Sequence, residues 1–227
     1  MMRSGRLDYR LYLVTDDALS RAPVESVVER AIAGGATIVQ LRVKAADSRM
    51  LYERAVRLRE RLAPLNVPLI VNDRLDAALA ARADGVHLGQ GDLPCAEARR
   101  IAGPEFVIGV SVGSPAEAER AERDGATYLA ASPVYATPTK TDAPPPVGLS
   151  GLAALRNASR LPLVAIGGLH AGNAAEVIRA GADGVAVVSA IMAAEDPAAA
   201  ARALRAVVDR ALAERGRQRA ADSRASC

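Results

Sequence analysis

Apolar and β-branched residues gather in eight short runs, at residues 10–15, 37–43, 68–72, 85–88, 106–112, 128–131, 162–166 and 184–188. Between them lie longer stretches in which apolar residues recur three and four apart, as in Val24, Val27, Val28 and Ile32, or Leu51, Ala55 and Leu58. The first pattern predicts short buried strands and the second predicts amphipathic helices with one face on a core. Strand and helix alternate throughout, which predicts a parallel sheet covered by helices.

Several predicted helices end in a small-residue turn that leads straight into the next strand: Ala33-Gly34-Gly35-Ala36, Ala83-Asp84-Gly85, Asp124-Gly125-Ala126 and Ala180-Gly181-Ala182-Asp183-Gly184. Glycine there supplies the left-handed backbone of a helix C-terminus. The return of one punctuation around the chain predicts repeated β/α units that close into a (β/α)8 TIM barrel; an open doubly wound sheet is the alternative. At 227 residues, half of them hydrophobic, the chain suits one such barrel. We place that single domain at residues 1–215. Residues 216–227, rich in Arg, Ala and Ser and without periodicity, are expected to be disordered.

Barrels of this class carry their chemistry at the C-terminal strand ends. Strand two reads Val39-Gln40-Leu41-Arg42-Val43-Lys44. Alternation places Gln40, Arg42 and Lys44 on one face, turned inward, and the three apolar residues outward against the helices. A solvated edge strand or a buried polar network is the other reading. Two inward cations with no carboxylate in the same run are costly to bury unless an anion joins them. Strand three ends at Asn72-Asp73, and strand four is followed by Gly89-Gln90-Gly91-Asp92. Neighbouring strands lie about 4.8 Å apart, so Asp73 and Asp92 can approach one ion. Their hard oxygens suit Mg²⁺, which takes one or two carboxylates and fills its shell with water and phosphate. Both residues equally suit helix N-caps or first-turn charges.

The connection after strand six, from Tyr135 through Thr137, Thr139 and Lys140 to Pro144-Pro145-Pro146 and Gly148, is long for this fold. Its hydroxyls and lysine suit a phosphate, although a solvated loop would have a similar composition. Strand seven ends at Gly167-Gly168 and strand eight at Val188-Ser189, where barrels frequently hold a phosphate on backbone N–H groups. His87 is read as a buried, hydrogen-bonded core residue and His170 as a surface one. Neither is assigned to catalysis. No nucleophile elbow, P-loop, dinucleotide fingerprint or zinc spacing occurs. A site rich in anion binders and poor in nucleophiles suits a reaction in which a phosphate or pyrophosphate leaves and the substrate itself supplies the nucleophile.

Charge and cysteine content narrow the setting. The formal net charge is only +3, and no aromatic residues interleave with the basic ones, so nucleic acid is not an expected partner. No run approaches the roughly 20 apolar residues of a membrane span. Cys95 and Cys227 form no metal or redox spacing, which fits a reducing compartment, and the protein is read as cytoplasmic.

Taken in order, Leu11-Tyr12-Leu13-Val14-Thr15-Asp16, Gln40-Leu41-Arg42-Val43-Lys44, Asn72-Asp73, Gly85-Val86-His87-Leu88-Gly89-Gln90 with Asp92, Gly109-Val110-Ser111, Thr137-Pro138-Thr139-Lys140 and Ala165-Ile166-Gly167-Gly168 resemble the thiamine-phosphate synthase family over nearly the whole chain. The resemblance implies a transferase of thiamine biosynthesis that joins an aminopyrimidine methyl pyrophosphate to a thiazole phosphate and releases pyrophosphate. It implies that Gln40, Arg42, Lys44, Asn72, Ser111 and Lys140 hold the pyrimidine pyrophosphate, with Ser111, Lys140 and Arg42 catalytic. Asp73 and Asp92 would carry Mg²⁺, and Thr137, Thr139, Gly168, Val188 and Ser189 the thiazole phosphate. Partners would be these small molecules, with the oligomeric state left open.

Two positions depart from the family pattern: Val43 stands where a glutamate is usual, and Ser132 where a glycine precedes Pro133. Val43 should face the helices, leaving the anion site intact. A related thiazole tautomerase carries a histidine where this chain has Pro133 and lacks the full Thr-x-Thr-Lys, so it fits less well. A barrel that only senses thiamine metabolites is the non-enzymatic alternative. Lys140→Ala is expected to lower kcat/KM for thiamine phosphate formation by roughly a hundredfold, the scale of losing one preorganised charge stabiliser. Steady-state kinetics check this, and a loss below about threefold would remove Lys140 from the mechanism.

Overall fold

A computed structural model describes residues 7–43, 47–139 and 144–225. Among them, eight strands close into a parallel barrel in chain order, the last pairing with the first. The strands are β1 (Leu11–Val14), β2 (Ile38–Leu41), β3 (Leu69–Asn72), β4 (Gly85–Leu88), β5 (Val107–Val112), β6 (Tyr128–Ala131), β7 (Leu163–Ile166) and β8 (Gly184–Val187). The helices are α1 (Val24–Ala33), α2 (Ser48–Leu62), α3 (Leu75–Ala80), α4 (Cys95–Ala102), α5 (Pro115–Arg123), α6 (Gly148–Ala158), α7 (Ala174–Arg179), the short α8 (Ser189–Met192) and α9 (Pro197–Ala225). Closure excludes the open sheet. Each strand falls inside its predicted apolar run: β4 and β6 coincide with theirs, and the others are trimmed by one or two residues at one or both ends.

Alternation along the strands makes two cores. Leu11, Leu13, Val39, Leu41, Leu69 and Val71 point outward and pack with the helices. Tyr12, Val14, Ile38, Ile70, Tyr128, Val164 and Ala186 fill the barrel interior. Val43 packs against the outer core, as its place in the alternation requires. The interior is tight around Tyr128. Its strand partner is Gly109, and a Cβ at Gly109 would collide with the tyrosine ring.

At the opposite end from the strand C-termini, arginines fasten the turns between helix and strand. Arg99 of α4 donates to the carbonyls of Gly125 (3.0 Å), Gly103 (2.6 Å) and Phe106 (2.7 Å). Its aliphatic stem lies over Gly125, whose φ of +88° suits glycine. Arg205 of α9 likewise reaches Gly35 O (3.0 Å), and Arg215 reaches Ile178 O (2.8 Å) and Asp183 (3.0 Å). The buried face of α9, made by Ala201, Leu204, Val208 and Ala211, lies on α1 and α7 and covers the seam between the first and last strands.

Residues 216–225 differ from expectation. They were expected to be disordered, yet α9 continues through them to Ala225. No buried stripe is needed for this. Arg, Ala and Gln have high helix propensity, and extending a helix already held by packing avoids the cost of nucleation.

These placements give paired expectations for stability. Gly109→Ala should destabilise the fold by about 2–3 kcal/mol through overpacking. Gly216→Ala, on an exposed helical turn with open space around it, should stabilise it by up to about 1 kcal/mol. Urea unfolding midpoints of the two variants check both signs.

Candidate active site

The C-terminal strand ends surround a cleft of about 450 Å³. Gln40, Arg42, Asn72, Asp73, Asp92 and Ser111 line one side of it, and Thr137, Thr139, Gly168, Val188 and Ser189 the other. All the candidate residues within the described segments therefore face one space, although they come from seven different strands and the loops that follow them. Lys44 and Lys140 lie outside the described residues. The remaining walls include the apolar residues Val14, Ala130, Val164, Ile166 and Ala186.

Arg42 follows β2 and is fixed twice. Its backbone N–H donates to Thr15 Oγ1 at 3.1 Å, and its guanidinium meets Asp16 at 3.0 Å. The Asp16 carboxylate is 4% exposed and also accepts the Ala18 N–H at 3.1 Å. This changes the expectation from strand two alone, in which its cations had no carboxylate. The counter-charge comes from the end of β1 and orients Arg42 at the edge of the cleft.

Asp73 and Asp92 are not helix caps. The residue before α3 is Arg74 and the one before α4 is Pro94. Asp73 adopts φ +64°, rare for a residue with a side chain, while its N–H donates to His87 O at 2.8 Å. Asp92 Oδ2 accepts the Gly89 N–H at 2.6 Å, which closes the turn after β4 and leaves Oδ1 for a ligand. Gln90 in that turn donates to Ser111 O at 2.6 Å and accepts from Arg120 at 2.9 Å, tying the ends of β4 and β5 together.

On the far side, Gly167 and Gly168 have φ of +103° and +64°. A side chain at either would run into Pro133, Tyr135 or the Ala136 backbone, so glycine allows the β6 and β7 loops to pass closely. Thr137 Oγ1 accepts the Thr139 N–H at 3.3 Å, which holds both threonines at the rim. Val188 precedes α8, whose first N–H groups have no partners within the helix by construction.

The floor of the cleft holds residues that sequence reasoning did not assign to the site. Tyr12 and Tyr128 are buried and hydrogen-bonded to each other at 2.9 Å. His87, expected to be a core histidine, is indeed buried and hydrogen-bonded, but it also reaches Ser111 at 3.0 Å and borders the cleft. The available signal was β1 itself. Tyr12, Val14 and Asp16 share the face opposite Leu11 and Leu13, in a chain with only five tyrosines.

The thiamine monophosphate synthase family model matches residues 11–191, from the first strand to the helix after the last. This chain belongs to the thiamine monophosphate synthase family. It is 55% identical to the thiamine-phosphate synthase of Chloroflexus aurantiacus over 83% of this chain and 87% of that protein. It is 52% identical to that of Syntrophomonas wolfei, over 82% of this chain and 90% of that protein. The solved thiamine phosphate pyrophosphorylase of Pyrococcus furiosus superposes with a TM-score of 0.84 at 43% identity, covering 91% of this chain and 98% of that one. Membership in the thiamine monophosphate synthase family thus spans the whole barrel and its cleft.

Asp16→Ala should cost about 3 kcal/mol, the scale of removing one partner from a buried ion pair. Asp16→Asn should cost less, because its single amide oxygen can still accept from one of the two partners, which bind different oxygens of the carboxylate. Chemical denaturation of the two variants tests the pair, and equal stability of all three proteins would refute it.

Proposed function

We propose that this chain joins an aminopyrimidine methyl pyrophosphate to a thiazole phosphate, giving thiamine phosphate and pyrophosphate. The observation that carries the reading is that one cleft, in a chain of this family, is lined by two sets of polar residues suited to anions together with apolar residues. Two phosphorylated ring substrates would place their anions apart and their rings together.

In this reaction the bond between the pyrimidine methylene and the pyrophosphate oxygen breaks, and its electron pair leaves with pyrophosphate. The aminopyrimidine ring delocalises the positive charge on the methylene. The thiazole nitrogen lone pair then forms the new carbon–nitrogen bond. No proton moves and no enzyme nucleophile is needed, so the protein contributes alignment and charge stabilisation.

The residues divide those tasks. Arg42, oriented by Asp16, faces the departing pyrophosphate, with Asn72, Ser111, Lys44 and Lys140 as its further partners. Gln40 donates its Nε2 to Tyr12 at 2.9 Å, which leaves Oε1 as an acceptor for the ring amino group. Thr137, Thr139, Gly168, Val188 and Ser189 hold the thiazole phosphate on hydroxyls and backbone N–H groups. Ile166 and Val164 exclude water from the methylene, which would otherwise be captured as an alcohol.

Asp73 and Asp92 fit Mg²⁺ by their donor chemistry: two hard carboxylates at adjacent strand ends, with substrate phosphate and water to complete the shell. Among the described residues no cluster of three His, Cys, Asp or Glu forms a site, so the ion would depend on the substrate for ligands. When bound, Mg²⁺ supplies charge neutralisation to the leaving pyrophosphate. Among the described residues no helix is long and apolar enough to cross a membrane. With the cysteine pattern, this supports a cytoplasmic setting.

Mixing the protein with both substrates and Mg²⁺ should yield thiamine phosphate by mass spectrometry, and chelator should abolish it. Absence of product from folded protein would refute the reading. Asp73→Asn combined with Asp92→Asn should raise the Mg²⁺ concentration for half-maximal rate at least about tenfold, with Tm little changed. An unmoved Mg²⁺ titration would remove both from metal binding.

A further inference from the structure

Beneath the cleft runs a line of buried polar groups that the coupling chemistry does not itself require. Gln40 Nε2 donates to the Tyr12 hydroxyl at 2.9 Å, and the Tyr12 and Tyr128 hydroxyls lie 2.9 Å apart. The Tyr128 hydroxyl is 2.9 Å from His87 Nδ1, and His87 Nε2 is 3.0 Å from Ser111 Oγ. Gln40, Tyr12 and Tyr128 are at most 4% exposed. Burial pushes both tyrosine hydroxyls well above their ordinary pKa, so they keep their protons.

The direction of the line follows from its first member. The amide nitrogen of Gln40 can only donate, and it occupies a lone pair of Tyr12. The Tyr12 proton then points to Tyr128, and the Tyr128 proton points to His87 Nδ1. With Nδ1 accepting, the ring proton sits on Nε2 and is donated to Ser111 Oγ. Ser111 has thereby accepted on its protein side, so its own proton is the one turned outward, and its hydroxyl borders the cleft.

We propose that this relay locks His87 in the Nε2–H form and turns the Ser111 proton toward the departing pyrophosphate, making Tyr12, Tyr128 and His87 positioning residues. The assignment rests on the proposed coupling reaction only for the identity of the anion. Pyrophosphate oxygens accept hydrogen bonds and donate none when ionised, so a serine turned the other way would offer them a lone pair. The same contacts argue against Ser111 as a nucleophile with His87 as its base. The group on Nδ1 is a neutral phenol, which provides no charge to stabilise an imidazolium.

The chain has two histidines, so ¹⁵N-histidine NMR of the whole protein reads the tautomer directly, with His170→Gln identifying the His87 signals. At neutral pH the expected result is a protonated Nε2 and an unprotonated Nδ1. A proton on Nδ1, alone or together with Nε2, would overturn the proposal. Tyr128→Phe should introduce the other tautomer, and an unchanged spectrum would remove Tyr128 from the relay.

Kinetics give a second readout. Glutamine places its amide nitrogen near the position of Nε2, whereas asparagine places it near Nδ1. His87→Asn should lose about tenfold to hundredfold in kcat, the scale of one hydrogen bond to a charged group. His87→Gln should recover to within about threefold of the parent on the same scale, and the KM for thiazole phosphate should hold in both. Equal losses in the two variants would overturn the positioning role. Parent protein that shows the expected tautomer but forms no thiamine phosphate would support the relay while refuting the functional reading.

Discussion

A closed barrel of eight short strands must fill its own interior, and in a chain with one phenylalanine and no tryptophan that work falls to tyrosine. Tyr128 packs beside Tyr9 at 5.1 Å and beside Tyr12 at 6.0 Å between ring centroids, in the space left by Gly109. A phenol brings a hydroxyl into the barrel, and a buried hydroxyl without a partner is costly. The partners are other inward residues of the same layers: Gln40, His87 and, through the histidine, Ser111. The filling of the core and the orientation of the cleft floor are therefore one constraint.

The two ends of the barrel are built on different principles. At the N-terminal end of the strands, Arg99, Arg205 and Arg215 satisfy backbone carbonyls at the helix ends, and the stems of Arg99 and Arg205 cover glycine turns, which favours rigidity. At the C-terminal end, Arg42 is held by a single carboxylate, Asp73 sits in a rare backbone conformation, and Gly167 and Gly168 admit close approach of neighbouring loops. Substitutions that strengthen the first end should leave the cleft untouched, since their side chains do not meet.

The strand positions were legible because a strand buried on both faces is a short unbroken apolar run, and eight such runs stand out between helices. Gln40 and Arg42 were legible for the opposite reason, as polar residues interrupting such a run. The Asp16–Arg42 pair was not, because its members are far apart in sequence and their meeting depends on β1 and β2 lying side by side. The function of His87 was hidden too. A histidine in a strand reads as a core residue, and its contact with Ser111 depends on the register of β4 against β5. The extent of α9 was missed because periodicity reports a buried face, and residues 216–218, 220 and 221 are all exposed. Lys44 and Lys140 rest on sequence resemblance alone.

Closure of the barrel sets an order on the folding of the chain. Leu11 pairs with Val185, so the first strand finds its second neighbour only after almost the entire barrel has been made. During synthesis, β1 and whichever strand has emerged last both present open edges, the kind of surface that seeds misassembly. The seam helix α9 comes later still, with Arg205 tying Gly35 and Arg215 tying the turn before β8. Those contacts span most of the chain, and loop-closure entropy must be met before they form. A growing chain released early would hold most of its secondary structure and none of its closed cleft, so catalytic competence should arrive in one late step and not in proportion to length.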